Sequence, residues 1–171
     1  MPRAYRLVFA FASVLCWASS AAAFEDKLAL SAGAGYAAWP GIDAPHGVAL
    51  DLQLGLGLDE VWQLRAGAST ALHPSGDGAL HTAALRAELV YLIDIVELVP
   101  FAGLGVSGIA AFRSGESELE PAAHVVVGAA YWLSFDWLLE LDVRAHLLPA
   151  ELEHEPLYLI STLSLVVTFD R

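Results

Sequence analysis

Apolar and polar residues alternate with a period of two along most of the chain. In residues 48–58, Val48, Leu50, Leu52, Leu54, Leu56 and Leu58 share one parity, while Ala49, Asp51, Gln53, Gly55 and Gly57 take the other. A helix would scatter those leucines around its axis, whereas a strand lines them up on one face. The same alternation predicts strands over residues 28–38, 62–72, 79–93, 102–112, 123–133, 137–147 and 157–169. In 137–147, for example, Trp137, Leu139, Leu141, Val143 and Leu147 oppose Glu140, Asp142, Arg144 and His146. Each of these eight segments is about as long as a tilted strand that crosses a bilayer.

What each face meets decides the class. The apolar faces carry no Asp, Glu, Lys or Arg, and besides tyrosine their only ionisable side chain is His81. The opposite faces carry Gly, Ala, Ser and Thr together with nearly all the strand charges. A soluble sandwich needs Lys, Glu and Thr on its outer face, and that face is missing here. A soluble lipocalin-like carrier, with the leucines turned inward around a ligand, is the other all-β arrangement. A small closed barrel in lipid asks for a clean apolar outside and a lumen of small residues with a few polar ones. Closure also pairs every backbone group within the bilayer. The expected fold is therefore all-β, an eight-stranded antiparallel up-and-down transmembrane β-barrel.

The connections support this reading. Those at 39–47, 73–78, 113–122 and 148–156 are loop-like, rich in Pro, Gly and acids, while 59–61 and 134–136 are tight and 94–101 is intermediate. Long connections at one end and short ones at the other match extracellular loops and periplasmic turns. Trp62, Tyr91, Phe101, Tyr131, Trp137 and Phe169 then fall at periplasmic strand ends, and Tyr36, Trp39 and Phe112 at outer ends, as two interfacial belts.

Composition adds the compartment. The 171 residues are 57% hydrophobic with a net charge of -12, too apolar for a disordered chain and too acidic for a nucleic-acid binder. Arg3 and Arg6, the apolar run Leu7 to Trp17 and the small residues Ser19-Ser20-Ala21-Ala22-Ala23 read as a signal peptide over residues 1–23, cleaved before Phe24. Cleavage removes two bases and no acid, which brings the net charge to -14. It also removes Cys16, so residues 24–171 hold no cysteine and no disulfide, and Leu15 before that cysteine does not fit a lipoprotein box.

With strand number, alternation and loop asymmetry in place, the chain resembles the small eight-stranded outer-membrane β-barrels of the OmpA/OmpX type, from about Leu28 to Phe169. Leu163, Leu165, Val167 and Phe169 resemble the C-terminal signal read by the barrel-assembly machinery, although Asp170 and Arg171 follow the aromatic here. The resemblance implies a bacterial outer-membrane location, and lipid, lipopolysaccharide and that machinery as partners. We expect a monomer and no nucleic acid. The family includes anchors, adhesins, narrow pores and lipid-modifying enzymes, and the fold alone does not choose among them.

Inward parity assigns Asp51, Arg65, Arg86, Glu88, Glu140, Asp142, Arg144 and His146 to the lumen. Three arginines against four carboxylates suggest a mutually neutralised plug, because buried charges persist only when paired. A gated or very narrow ion path is the alternative. In the outer connections, Glu116, Glu118 and Glu120 alternate and Glu151, Glu153, His154 and Glu155 cluster, yet neither matches a calcium-loop spacing. We expect neither metal nor cofactor. His46, His73, Ser75, Asp77, His81, Ser114 and His154 near the outer rim supply a serine, a base and an acid in kind, as a lipid-A acyl hydrolase or transferase would need. No histidine–serine motif of the deacylase barrels is present, and HPSGDG reads as a turn. Gly103, Gly105 and Gly108 lack a following helix and read as thinning the lumen wall rather than as a phosphate loop. The expected function is non-enzymatic, structural or surface-interacting.

Overall fold

A computed structural model of the protein describes residues 26–39, 46–75, 78–93, 97–113, 116–149 and 157–170. The predicted signal peptide and its cleavage site lie outside the described residues, as do Asp77, Ser114 and the acidic cluster at 151–155. The described residues form eight strands: β1 Lys27–Ala38, β2 His46–Gly57, β3 Trp62–Ser75, β4 Gly78–Leu92, β5 Leu98–Arg113, β6 Glu116–Trp132, β7 Trp137–Leu147 and β8 Leu157–Asp170. Every neighbour is antiparallel and next in sequence, and β8 closes onto β1.

Register fixes the barrel's shape. From Val127, paired residues run through Val143, Ser161, Tyr36, Val48, Leu72, His81 and Phe112 to Ser117. The walk returns to β6 ten residues from its start (127 to 117), which is the shear. With a rise of about 3.3 Å per residue and a strand spacing of about 4.8 Å, that shear tilts the strands by about 40°. The backbone cylinder is then about 8 Å in radius, so the lumen holds side chains and little else.

Burial is inverted relative to a soluble domain. Leu52 is 60% and Leu104 68% exposed, whereas Arg144 is 1% and Glu88 2% exposed. Leu, Val and aromatic side chains thus line the outer wall, as the alternation predicts.

Strand lengths depart from the sequence reading on the outer side. Ser75 pairs with Gly78 and Arg113 with Glu116, so most of the expected loops at 73–78 and 113–122 is strand. Alternation continues there, with Ser117, Leu119 and Pro121 outward and Glu118 and Glu120 on the inward parity, but charge replaces the small residues that mark the strands elsewhere. Hairpins β3–β4 and β5–β6 therefore rise above the apolar band. The short connections are tight, as expected. The Asp59 carboxylate accepts hydrogen bonds from the Val61 and Trp62 amides at 2.8 and 2.7 Å, and Leu133 N donates to Trp137 O at 2.8 Å.

Two of the expected belt aromatics lie elsewhere. Phe101 is 3% exposed and points into the lumen, because β5 begins at Leu98 and runs on through the position where the loop was expected. Trp39 folds inward onto Tyr158, with ring centroids 4.2 Å apart. Trp62, Tyr91, Tyr131, Trp137 and Phe169 remain on the outer surface at the lower end, and Tyr36 and Phe112 at the upper. Gly108 faces outward, so only Gly103 and Gly105 of that trio thin the lumen.

Candidate functional site in the barrel lumen

Glycines sit in register opposite three of the bulky lumen side chains. Arg86 pairs in register with Gly67, His124 with Gly105 and Phe101 with Gly128. A Cβ at Gly67 would lie 2.6 Å from the Arg86 guanidinium carbon, one at Gly105 2.5 Å from the His124 ring, and one at Gly128 2.5 Å from Phe101. The glycines give these groups a flat wall to lie on, which a β-carbon would remove.

The side chains stack in three levels. Nearest the short turns, Val90, Leu92, Val99, Phe101, Val126, Leu138 and Val166 make an apolar plug with Trp132 against it. At the other end, small alanines surround Ile109, Leu148, Tyr158 and Ile160, with Trp39 packed on top. Tyr158 Oη lies 2.9 Å from Thr82 Oγ1 and 3.2 Å from His73 Nε2, which ties this lid together.

Between the two levels lies an ionic belt that brings together seven of the eight residues expected in it. Arg86 grips Asp51 with two bonds of 2.7 and 2.8 Å. Arg65 spans the lumen to Glu140 at 3.1 and 3.2 Å and packs its guanidinium 4.4 Å over the Phe101 ring. Arg144 donates to Glu88 at 3.3 Å and to Asp142. His146 stands apart from the ion pairs, with Nδ1 3.0 Å from Ser107 Oγ.

Several belt members were not singled out from the sequence. Gln53 Oε1 accepts from Arg86 at 3.0 Å and from Arg144 at 2.8 Å, joining two ion pairs. Gln63 accepts from Arg65 at 2.6 Å, and Thr162 donates to Asp142 at 2.7 Å. His124 Nε2 lies 3.0 Å from Glu88 Oε2. All four share the inward parity of the charged residues, and that parity was the signal available. These partners fill the bonding positions the ion pairs leave open, as buried charges require.

Of the rim residues expected to offer such chemistry, Ser75, Asp77, Ser114 and His154 lie outside the described side chains, and the described histidines have other partners. Tyr36 Oη lies 2.5 Å from His46 Nδ1, and His81 Nε2 lies 2.9 Å from Thr70 Oγ1. That threonine hydroxyl already donates to Thr82 O at 3.0 Å, so its proton is engaged with the backbone rather than with the imidazole. His73 belongs to the inner lid. Among the described residues, no three or more His, Cys, Asp or Glu converge as a metal-ligand set.

A closed eight-stranded up-and-down barrel, greasy outside and ion-paired inside, has the fold of the small outer-membrane β-barrels. Solved structures give the particular resemblances. The chain is similar to Neisserial surface protein A (TM-score 0.65, 12% identity, 86% of this chain and 98% of that one). It is also similar to the N-terminal barrel of Pseudomonas aeruginosa OprF (0.58, 14%, 85% and 98%) and to Yersinia pestis Ail (0.57, 14%, 85% and 99%). No family model and no curated protein matches the sequence.

Proposed function

We propose that the protein is a monomeric, non-enzymatic resident of the bacterial outer membrane, with a plugged lumen and a structural or surface-interacting role. Its export would use residues 1–23, and its insertion the barrel-assembly machinery. The observation that carries this reading is the triple closure of the lumen: apolar plug, ionic belt and aromatic lid follow one another along the axis. A cylinder about 8 Å in radius, filled by side chains at three levels, leaves no continuous water column. Interaction with surroundings then falls to the outer wall and the outer rim. Ail is known in complex with a heparin analogue, sucrose octasulfate. The acidic connections expected at the outer end from the sequence, with Glu116, Glu118, Glu120, Glu151, Glu153 and Glu155, argue against a sulfated polyanion as partner for this chain.

Planar-bilayer recording of the purified, heat-modifiable protein tests the closure. A silent membrane is expected, and stepwise currents would replace the plug with a pore. Lipid-A acyl patterns from cells with and without the protein, compared by mass spectrometry, test the absence of lipid chemistry; no change is expected.

A further inference from the structure

We infer that the upper part of β6, Ser117 to Pro121, is an open sheet edge outside the cell that takes an extended basic peptide as an added strand. Such a role deepens the surface-interacting reading above and rests on it. β6 pairs with β5 from Glu116 through to Tyr131. On its other side, pairing with β7 starts only at Ala123, opposite Leu147. Residues 116–122 therefore have no neighbouring strand on that side among the described residues.

The shear lifts this edge clear of the apolar band. Each step between paired residues around the barrel climbs about 3 Å, given a spacing of about 4.8 Å and a tilt of about 40°. Five steps, by way of Val48, Leu72, His81 and Phe112, lead from Tyr36 to Ser117. Ser117 thus stands about 15 Å, and Leu119 about 10 Å, above Tyr36. At that height Leu119, 73% exposed, meets water rather than acyl chains.

Pro121 sets the polarity of the edge. It pairs with Gly108 and has no N–H for the ladder, so its nitrogen is turned away from β5. Backbone groups alternate sides along a strand, so Ser117 and Leu119 also turn their N–H and C=O groups to the open side. That side presents two donors, on Ser117 and Leu119, and three acceptors, the third on Pro121. An extended peptide satisfies such a row by strand addition.

Charge selects the partner. Glu118 and Glu120 fall on one face of the edge, and Ser117, Leu119 and Pro121 on the other. A second copy would bring the same acids against them, and the connection after β7 carries Glu151, Glu153 and Glu155, so neither is complementary. A segment with Lys or Arg at alternate positions sets its cations against Glu118 and Glu120, and apolar residues between them lie beside Leu119.

The probe is a labelled, end-blocked hexapeptide that alternates lysine and valine, titrated onto the purified protein in lipid nanodiscs. Saturable binding is expected, with the Ser117 and Leu119 amides gaining protection from hydrogen exchange. Leu119→Pro keeps every acid and the β5 ladder but replaces the edge donor with a ring carbon, and should weaken binding by about tenfold. Glu118→Lys should weaken it by about fivefold at low salt. A peptide with proline in place of valine has the same charge and cannot pair, and should bind about tenfold more weakly than the valine peptide. Should Leu119→Pro fail to fold, that proline peptide on the wild type decides. No binding to the wild type overturns the proposal, and so does equal affinity for the proline peptide, which would leave charge attraction alone. Maleimide labelling of Ser117→Cys on intact cells separates the two readings. Labelling without peptide binding sinks the edge alone, whereas absence of labelling sinks the outer location on which it rests.

Discussion

Removing Arg86 tests whether the belt is as dry as its geometry implies. The Arg86 side chain is 1% and that of Asp51 2% exposed, and two bonds join them. Arg86→Met leaves the Asp51 carboxylate buried without a cation, and a broken buried pair of this kind costs about 3–5 kcal/mol. That is a loss of roughly two to almost four orders of magnitude in the folded-to-unfolded ratio. Asp51→Leu should cost less, because Arg86 keeps Glu88 with Nε 3.8 Å from the carboxylate. Replacing both, Arg86→Met with Asp51→Leu, should recover most of the loss, since an apolar pair of similar volume is often neutral relative to a buried ion pair. The double-mutant cycle is read by urea titration in micelles, with the folded fraction scored by heat-modifiable migration. Single variants within about 1 kcal/mol of wild type, or a double variant whose cost is the simple sum, would mean that water reaches Asp51 and that the lumen is wet.

Three further outcomes follow from the wall. Leu52→Arg places a charge on the apolar band and should destabilise the barrel in vesicles by about 2–4 kcal/mol, with Val48→Arg, nearer the outer rim, costing less. Spin labels at Leu54 and Leu141 should be relaxed by oxygen dissolved in lipid and not by a water-soluble nickel chelate, the reverse of what a carrier with inward leucines would give. Gly35→Ala should destabilise by about 1–3 kcal/mol in the same titration, by forced displacement of packed neighbours. Its new Cβ would lie 1.8 Å from Ser161 O, whereas Gly108→Ala, whose Cβ meets only Leu119 at 3.7 Å, should be nearly silent.

The fold was legible because a barrel wall obeys one rule at every position. Lipid contact forbids charge on the outer parity, so Leu50, Leu104 and Leu141 declare their side of the strand without help from tertiary structure. Strand ends were less legible. Above the apolar band both faces meet water, so the alternation at Ser117–Leu119–Pro121 no longer contrasts with its neighbours, and strand reads as loop. Phe101 and Trp39 were misplaced because an aromatic near a strand end suits a girdle or a plug equally well, and parity separates the two only once the true end of β5 is known. Within the lumen, parity located the charges but not their partners. That Arg65 reaches across to Glu140, while Arg86 turns to Asp51, depends on the shear and on which wall carries glycine, neither of which a single segment reveals.

The order of the three lumen levels makes a last, sharper demand. Phe101→Ala takes the buried phenyl ring from the lower plug, and Tyr158→Ala breaks the upper lid, yet each leaves the Arg65–Glu140 bridge across the lumen. An ion entering through one open end would still meet paired guanidinium and carboxylate groups whose separation in a dry site costs several kcal/mol. Each single variant should therefore stay silent in planar bilayers. Phe101→Ala combined with Arg65→Ala and Glu140→Ala removes the plug together with the bridge, the ring and the guanidinium stacked 4.4 Å above it leaving at once. That combination should conduct in discrete steps, provided the gel assay shows it folded. Conductance from Phe101→Ala or Tyr158→Ala alone would reduce the belt to a stabilising network with no part in closing the barrel.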